Sequence, residues 1–131
     1  MPLSRLSALF LLAFVFYLNF LSRIIVSPFL PRIEQSMGLT HSQAGTLFVL
    51  LSMGYFPSLA ASGFISSRIS HQKTIVLSMG GIATSLFVLS GGSTLLSLQC
   101  AFFLLGMAAG IYLPSGISLI SSLFAARHWG K

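Results

Sequence analysis

The chain has 131 residues, 55% of them hydrophobic and 6% charged, with seven Lys and Arg against a single acid, Glu34. Soluble domains carry roughly a quarter charged residues, so there is too little charge here to coat a water-exposed sphere, and a mean hydropathy of +0.95 says the same. A soluble globular enzyme, a disordered tail and a coiled coil are excluded. Nucleic acid is excluded as a partner, because the net charge of +6 is spread singly from Arg5 to Lys131 rather than clustered on one face. The environment implied is a lipid bilayer.

In chain order, residues 6–22, 35–67 and 74–126 contain no Asp, Glu, Lys or Arg. A helix needs about 20 residues to cross about 30 Å of hydrocarbon. The first stretch gives helix 1, over about 6–30. A signal peptide is the competing reading, but no A-x-A-like site follows Leu18, where the chain reads Asn19-Phe20-Leu21-Ser22-Arg23-Ile24-Ile25. A polar connection through Gly38 leads to Thr40-His41-Ser42-Gln43, the pattern of a capping box. It predicts helix 2 over 41–67. The last stretch, 53 residues long, holds two crossings separated by the turn-type cluster Gly91-Gly92-Ser93-Thr94. These are helices 3 (74–91) and 4 (95–125). Open sheet edges cannot face lipid, and no dyad alternation of barrel type occurs. The fold expected is all-α: a polytopic membrane protein with four transmembrane helices and one transmembrane region, 1–131.

Four crossings put Arg5, Arg68, Lys73, Arg127 and Lys131 on one side. The other side holds Arg32, balanced by Glu34, and an uncharged 3–4 turn. The positive-inside rule then places both termini in the cytoplasm of a multi-pass plasma-membrane protein, a bacterial inner membrane being the expected setting.

Polar residues and helix breakers carry the information in a bilayer. Asn19, Arg23 and Ser27 recur every four residues and make one polar stripe on helix 1. An intramembrane arginine costs about 2.5–3.5 kcal/mol at mid-helix, so it faces a cavity or a partner. Two readings stay open. Arg23 holds an anion through its planar fork, or it snorkels to the headgroups from the outer end of helix 1. Gly106 and Gly110 on helix 4 have the GxxxG spacing of a close helix contact, with Tyr112 and Pro114 beyond them. Helix 2 has a similar set in Gly54, Tyr55, Pro57, Ala60, Ala61 and Gly63. Packing explains the small residues, and Tyr55 and Tyr112 are candidates to line a pathway. Catalysis finds no support: Glu34 is alone, no G-x-S-x-G elbow exists, and His41, His71 and His128 are too far apart to argue a metal site. Cys100 has no thiol partner. No cofactor is expected.

The segment Gly63-Phe64-Ile65-Ser66-Ser67-Arg68-Ile69-Ser70-His71-Gln72-Lys73 follows the second hydrophobic stretch. It resembles the 2–3 loop signature of the major facilitator superfamily, G-x-x-x-D-R/K-x-G-R-K/R-K/R. Gly63, Arg68 and Lys73 match; Ser67 stands in the acidic place, Ser70 in the second glycine place, and His71 and Gln72 where basic residues are usual. Pro31, then Gly38-Leu39-Thr40 and Ala44-Gly45, is similar to the family's approach to helix 2. Gly106, Gly110 and Pro114 resemble its fourth helix, and Arg127, Gly130 and Lys131 its cytoplasmic exit. Phe102 or Phe103 replaces the arginine common before that glycine run. The resemblance implies a partial N-terminal half of a helical bundle, belonging to a secondary transporter that works by alternating access. It makes Gly63, Arg68 and Lys73 a conformational-gating motif. Arg23, eight residues before Pro31, is similar to the helix-1 arginine of organophosphate:phosphate antiporters, which implies a small, anionic solute. Arg23, Asn19 and Tyr112 are the expected substrate-binding residues.

Superfamily members have two six-helix halves, so a four-helix chain is expected to be an incomplete transporter that needs remaining helices or a partner subunit. Such a chain is expected to move no solute alone; saturable uptake by liposomes holding only this chain would show otherwise. Two alternatives differ in kind. A small four-helix multidrug exporter needs a membrane-embedded carboxylate in helix 1, where this chain has Arg23. A membrane-assembly or accessory subunit would reveal itself by cross-linking to a fixed partner without solute dependence.

Overall fold

The computed structural model describes residues 3–125 of the chain, with side chains from Leu6 to Ser122. Arg127, Gly130 and Lys131, and the side chain of Arg5, lie outside the described residues. Five helices occur in order: α1 (Leu3–Ile24), α2 (Val26–Met37), α3 (His41–Ile69), α4 (His71–Gly91) and α5 (Leu95–Ala125). No strand is present among the described residues. Four segments are long and apolar enough to cross a membrane: Leu6–Met37, His41–Ile69, His71–Gly91 and Leu95–Ser122. The fold is therefore all-α, with four spans.

The first span differs from its expected range of 6–30. It continues through Pro31 to Met37 and breaks instead at Ile25. Pro28 explains the break. Its ring excludes the carbonyl of Ile24 and it offers no amide hydrogen to it, so α1 closes with the Ile25 N–H donating to Leu21 O at 2.8 Å and α2 begins anew. Pro31 then sits inside α2 with its ring accommodated. At 1.5 Å per residue, 32 residues measure about 48 Å, well over the hydrocarbon thickness. The Arg32–Glu34 end of α2 therefore extends toward water, where Glu34 Oε1 lies 3.1 Å from His41 Nδ1. That contact becomes a hydrogen bond when Nδ1 carries the proton.

Gly38 ends α2 in the left-handed region at φ 62°, with its N–H donating to Glu34 O, a conformation glycine reaches without a Cβ penalty. The capping box follows as the sequence predicts. Thr40 Oγ1 accepts from Gln43 N, and Gln43 Oε1 accepts from Thr40 N at 2.9 Å.

The bundle is organised around α5, which packs most heavily on α3, then on α4, and more lightly on α1. Contacts advance in step along α3 and α5, from Leu51 against Gly106 to Ser62 against Ile111, so these two helices run parallel. The approach is close because glycines remove the side chains that would hold the backbones apart. A Cβ on Gly106 would fall on Leu51 O, one on Gly54 on Phe103 O, and one on Gly110 within 2.5 Å of Tyr55 O. Toward the Gly38 and Gly92 end the core is apolar, built from Val26, Leu47, Ile82, Leu98, Phe102 and Leu105. Phe48 meets Phe102 edge-on at 5.8 Å. Toward the Ser70 end the interior turns polar. Ser62 Oγ donates to Ile111 O at 2.7 Å and Ser78 Oγ to Ala108 O at 2.5 Å, both across helices. Pro114 lies just beyond these carbonyls, where the helix ladder of α5 is interrupted.

A mid-membrane arginine and the Ser70 junction: candidate functional site

Arg23 is the polar residue least suited to lipid, and its surroundings define the candidate site. Measured along the first span it is 17 residues from Leu6 and 14 from Met37, near the middle rather than the outer end. Its guanidinium lies over the Tyr55 ring, 4.7 Å from the centroid, and 5.9 Å from that of Phe20. Tyr55 has fourteen residues of α3 on either side of it. Arg23 therefore sits against the middle of α3, away from the ends of both spans. The aromatic faces supply a partial counter-charge. No carboxylate does: Glu34, the one acid, stands beside His41. Arg23 Nε is buried without a hydrogen-bond partner.

One turn earlier on the same face of α1, Asn19 is 3% exposed and its Nδ2 also lacks a partner. Ser22 Oγ donates to the Asn19 backbone carbonyl at 2.7 Å and so does not engage Nδ2. Arg23 and Asn19 thus each hold a buried donor without an acceptor, and Tyr55 and Phe20 flank the guanidinium. Buried donors without acceptors, one of them charged, suit an anion.

Tyr112 lies elsewhere. It is 1% exposed, its hydroxyl donates to Leu12 O at 3.0 Å, and its ring lies 6.2 Å from Phe16. Leu12 precedes Asn19 by seven residues, about 10 Å along the axis. Tyr112 fastens α1 to α5 beneath the arginine. Tyr112→Phe is expected to lower stability by about 0.6 kcal/mol, the usual worth of an interhelical hydrogen bond in a membrane, read as a shift in thermal unfolding in micelles. Tyr55, which the sequence offered with Tyr112 as a candidate to line a pathway, is the tyrosine that the structure places beside Arg23.

The second candidate region is the junction of α3 and α4, where Gly63, Arg68 and Lys73 sit. All three are exposed, and a Cβ on Gly63 would meet nothing within 4 Å. Arg68 lies over Phe64, 4.9 Å from the ring centroid. Ser67, in the acidic place of the loop signature, donates to Phe64 O at 2.7 Å. The whole connection is one residue, Ser70, at φ 101° and ψ 149°. That region is essentially reserved for glycine and costs other residues of order 1–3 kcal/mol. The structure thus gives a physical reason for glycine at this place in the signature. Ser70→Gly is expected to raise stability by about 1 kcal/mol in a thermal or denaturant melt; a loss would mean that the hydroxyl matters more than the backbone.

Among the described residues, no group of three or more His, Cys, Asp or Glu has the arrangement of a metal site. The family model of the Major Facilitator Superfamily matches residues 12–131. No curated protein and no solved structure matches the chain.

Proposed function

The chain belongs to the major facilitator superfamily, and on that premise we propose that it forms the first four helices of a secondary transporter for a small anion. Arg23 is the anchor and Asn19 a second donor, with Tyr55 as the surface on which the guanidinium is held flat. Tyr112 is a positioning residue that holds α1 in place. One observation carries the reading: a guanidinium inside the first span, against the middle of α3, with aromatic faces around it, no carboxylate beside it and a desolvated Nε. A charge kept there against its cost is the mark of a site.

Alternating access is the transport mode proposed, with further helices or a second subunit facing this bundle across the solute path. The exposed apolar faces of α1, including Phe10, Phe14 and Tyr17, are available to such helices and to lipid. Arg68 and Lys73 at the Ser70 end support a cytoplasmic position for that end, and with it for both termini, in a bacterial inner membrane. Gly63, Arg68 and Lys73 are proposed as the gating motif, working through the Ser70 junction.

The test is equilibrium binding of radiolabelled inorganic phosphate and butyrate to the chain in lipid nanodiscs, with butyramide as the neutral counterpart. Saturable binding of an anion without binding of the amide supports the proposal. Equal binding of butyrate and butyramide, or none of any probe, removes it.

A further inference from the structure

The structure parts the two charges that the sequence sets together on the first span. Glu34 meets His41 at 3.1 Å, and among the described residues Arg32 makes no ion pair. Arg32 is an exposed cation beside an apolar groove. The groove consists of two cavities of about 310 and 380 Å³ that share Ile25 and Leu86. One wall runs from Leu18 on α1 through Ile25 to Ile33 on α2, the other from Met79 through Leu86 to Ser90 on α4. No charged residue lines it, and of its two serines Ser22 is engaged with the Asn19 backbone carbonyl. Phe29 lines the groove on α2, and Arg32, three residues further on, is its neighbour on the helix surface. Ser90, one residue before the end of α4, is the polar residue at the same end. α1 and α4 touch only lightly, which leaves the gap between them open.

From Met79 to Ser90 the groove measures about 16 Å along the axis of α4, close to the roughly 15 Å of half a hydrocarbon core. We infer that it seats one acyl chain of an anionic glycerophospholipid, whose phosphate is held at the Gly38 and Gly92 end by Arg32 and Ser90. The walls suit the chain and the free cation suits the headgroup. A soluble anion would gain nothing from the apolar walls, and a further helix would gain nothing from Arg32. An acyl chain is as well accommodated in bulk lipid as in a groove, so its burial gives no preference of its own. Arg32 supplies the preference. Its apolar stem can lie along the rim while its planar fork meets the phosphate oxygens. The lipid is selected by headgroup charge and located by the groove.

Two methionines test this. Met79 lines the groove, twelve residues before the end of α4, and Met53 lies on the exposed face of α3, twelve residues after that helix begins. Both counts start from the Gly38 and Gly92 end, so the two methyls compare at similar depth. The full chain, with carbon-13 in its methionine methyls, is placed in phosphatidylcholine nanodiscs containing a little lipid with a nitroxide near the end of one acyl chain. Labelled phosphatidylglycerol is expected to raise the broadening of Met79 relative to Met53 about fivefold above the ratio given by labelled phosphatidylcholine, the worth of one arginine near an anionic headgroup. Arg32→Gln is expected to abolish the difference between the two lipids, and so is Ala83→Phe, which fills the groove. The wild-type comparison stands even if a variant fails to fold. Equal ratios for the two lipids would reduce the groove to ordinary lipid contact, and a difference surviving Arg32→Gln would place the headgroup elsewhere. A Met79 signal untouched by either lipid would mean that a helix fills the groove. Any of these three results would overturn the inference.

Discussion

Replacing Arg23 by Gln is expected to weaken binding of butyrate and phosphate about 100-fold while leaving the bundle as stable as before, or more so. The loss corresponds to about 2.7 kcal/mol, within the range for a charged hydrogen bond plus its Coulombic part. Stability moves the other way because the arginine pays a desolvation cost that no carboxylate offsets. Its one acidic candidate, Glu34, stands at His41, and the aromatic contacts return only about 2 kcal/mol when desolvated. Arg23→Lys keeps the charge but loses the planar fork and the flat contact on Tyr55; it is expected to fall between, about tenfold weaker than wild type. Isothermal titration in nanodiscs gives the affinities and thermal unfolding the stability. A drop in both together would make Arg23 a structural residue, and an unchanged affinity for every anion would leave it no role in recognition.

Gly106→Ala is expected to be the most damaging single-methyl change in the chain. The new Cβ would coincide with Leu51 O, a backbone atom that no rotamer can move aside, so α3 and α5 must separate. Overpacking of this kind costs about 1–3 kcal/mol, with Gly106→Leu at or beyond the upper end. Gly80→Ala is the control. Its Cβ meets nothing within 4 Å, so the intrinsic helix preference for alanine is free to act, worth up to about 1 kcal/mol. Opposite signs for the two variants in an unfolding titration would establish the close approach; equal effects would show that α3 and α5 do not touch as described.

Charge-free stretches and two turn clusters were enough to read four spans, because bilayer thickness converts hydropathy directly into length. The capping box at Thr40 and the glycines of the α3–α5 seam were equally legible, being local chemistry with one mechanical outcome. The first span was not. Pro31 reads as a terminator, yet it sits inside α2, and it is Pro28 that breaks the helix, at Ile25; which proline breaks depends on what the neighbouring turn can re-satisfy. That shift in boundary moved Arg23 from the edge of a span to its middle and changed its meaning. The partner it finds there, Tyr55, belongs to α3 and is 32 residues further along the chain, and no spacing within one helix encodes that. Ser62 and Ser78 are a milder case. Their types were plain, but their acceptors, Ile111 O and Ala108 O, belong to a helix 30 or more residues away.

The single residue between α3 and α4 has a mechanical corollary. Ser70 N donates to Ser66 O and Ser70 O accepts from Thr74 N, so the two helix ends are pinned to the successive peptide units on either side of the Ser70 Cα and only its φ and ψ lie between them. A push on α3 at Tyr55 is therefore delivered to α4 with almost no slack, and the pair turns as a crank. Spectroscopic labels on the two helices should report correlated excursions, while three or four glycines inserted at Ser70 should uncouple them.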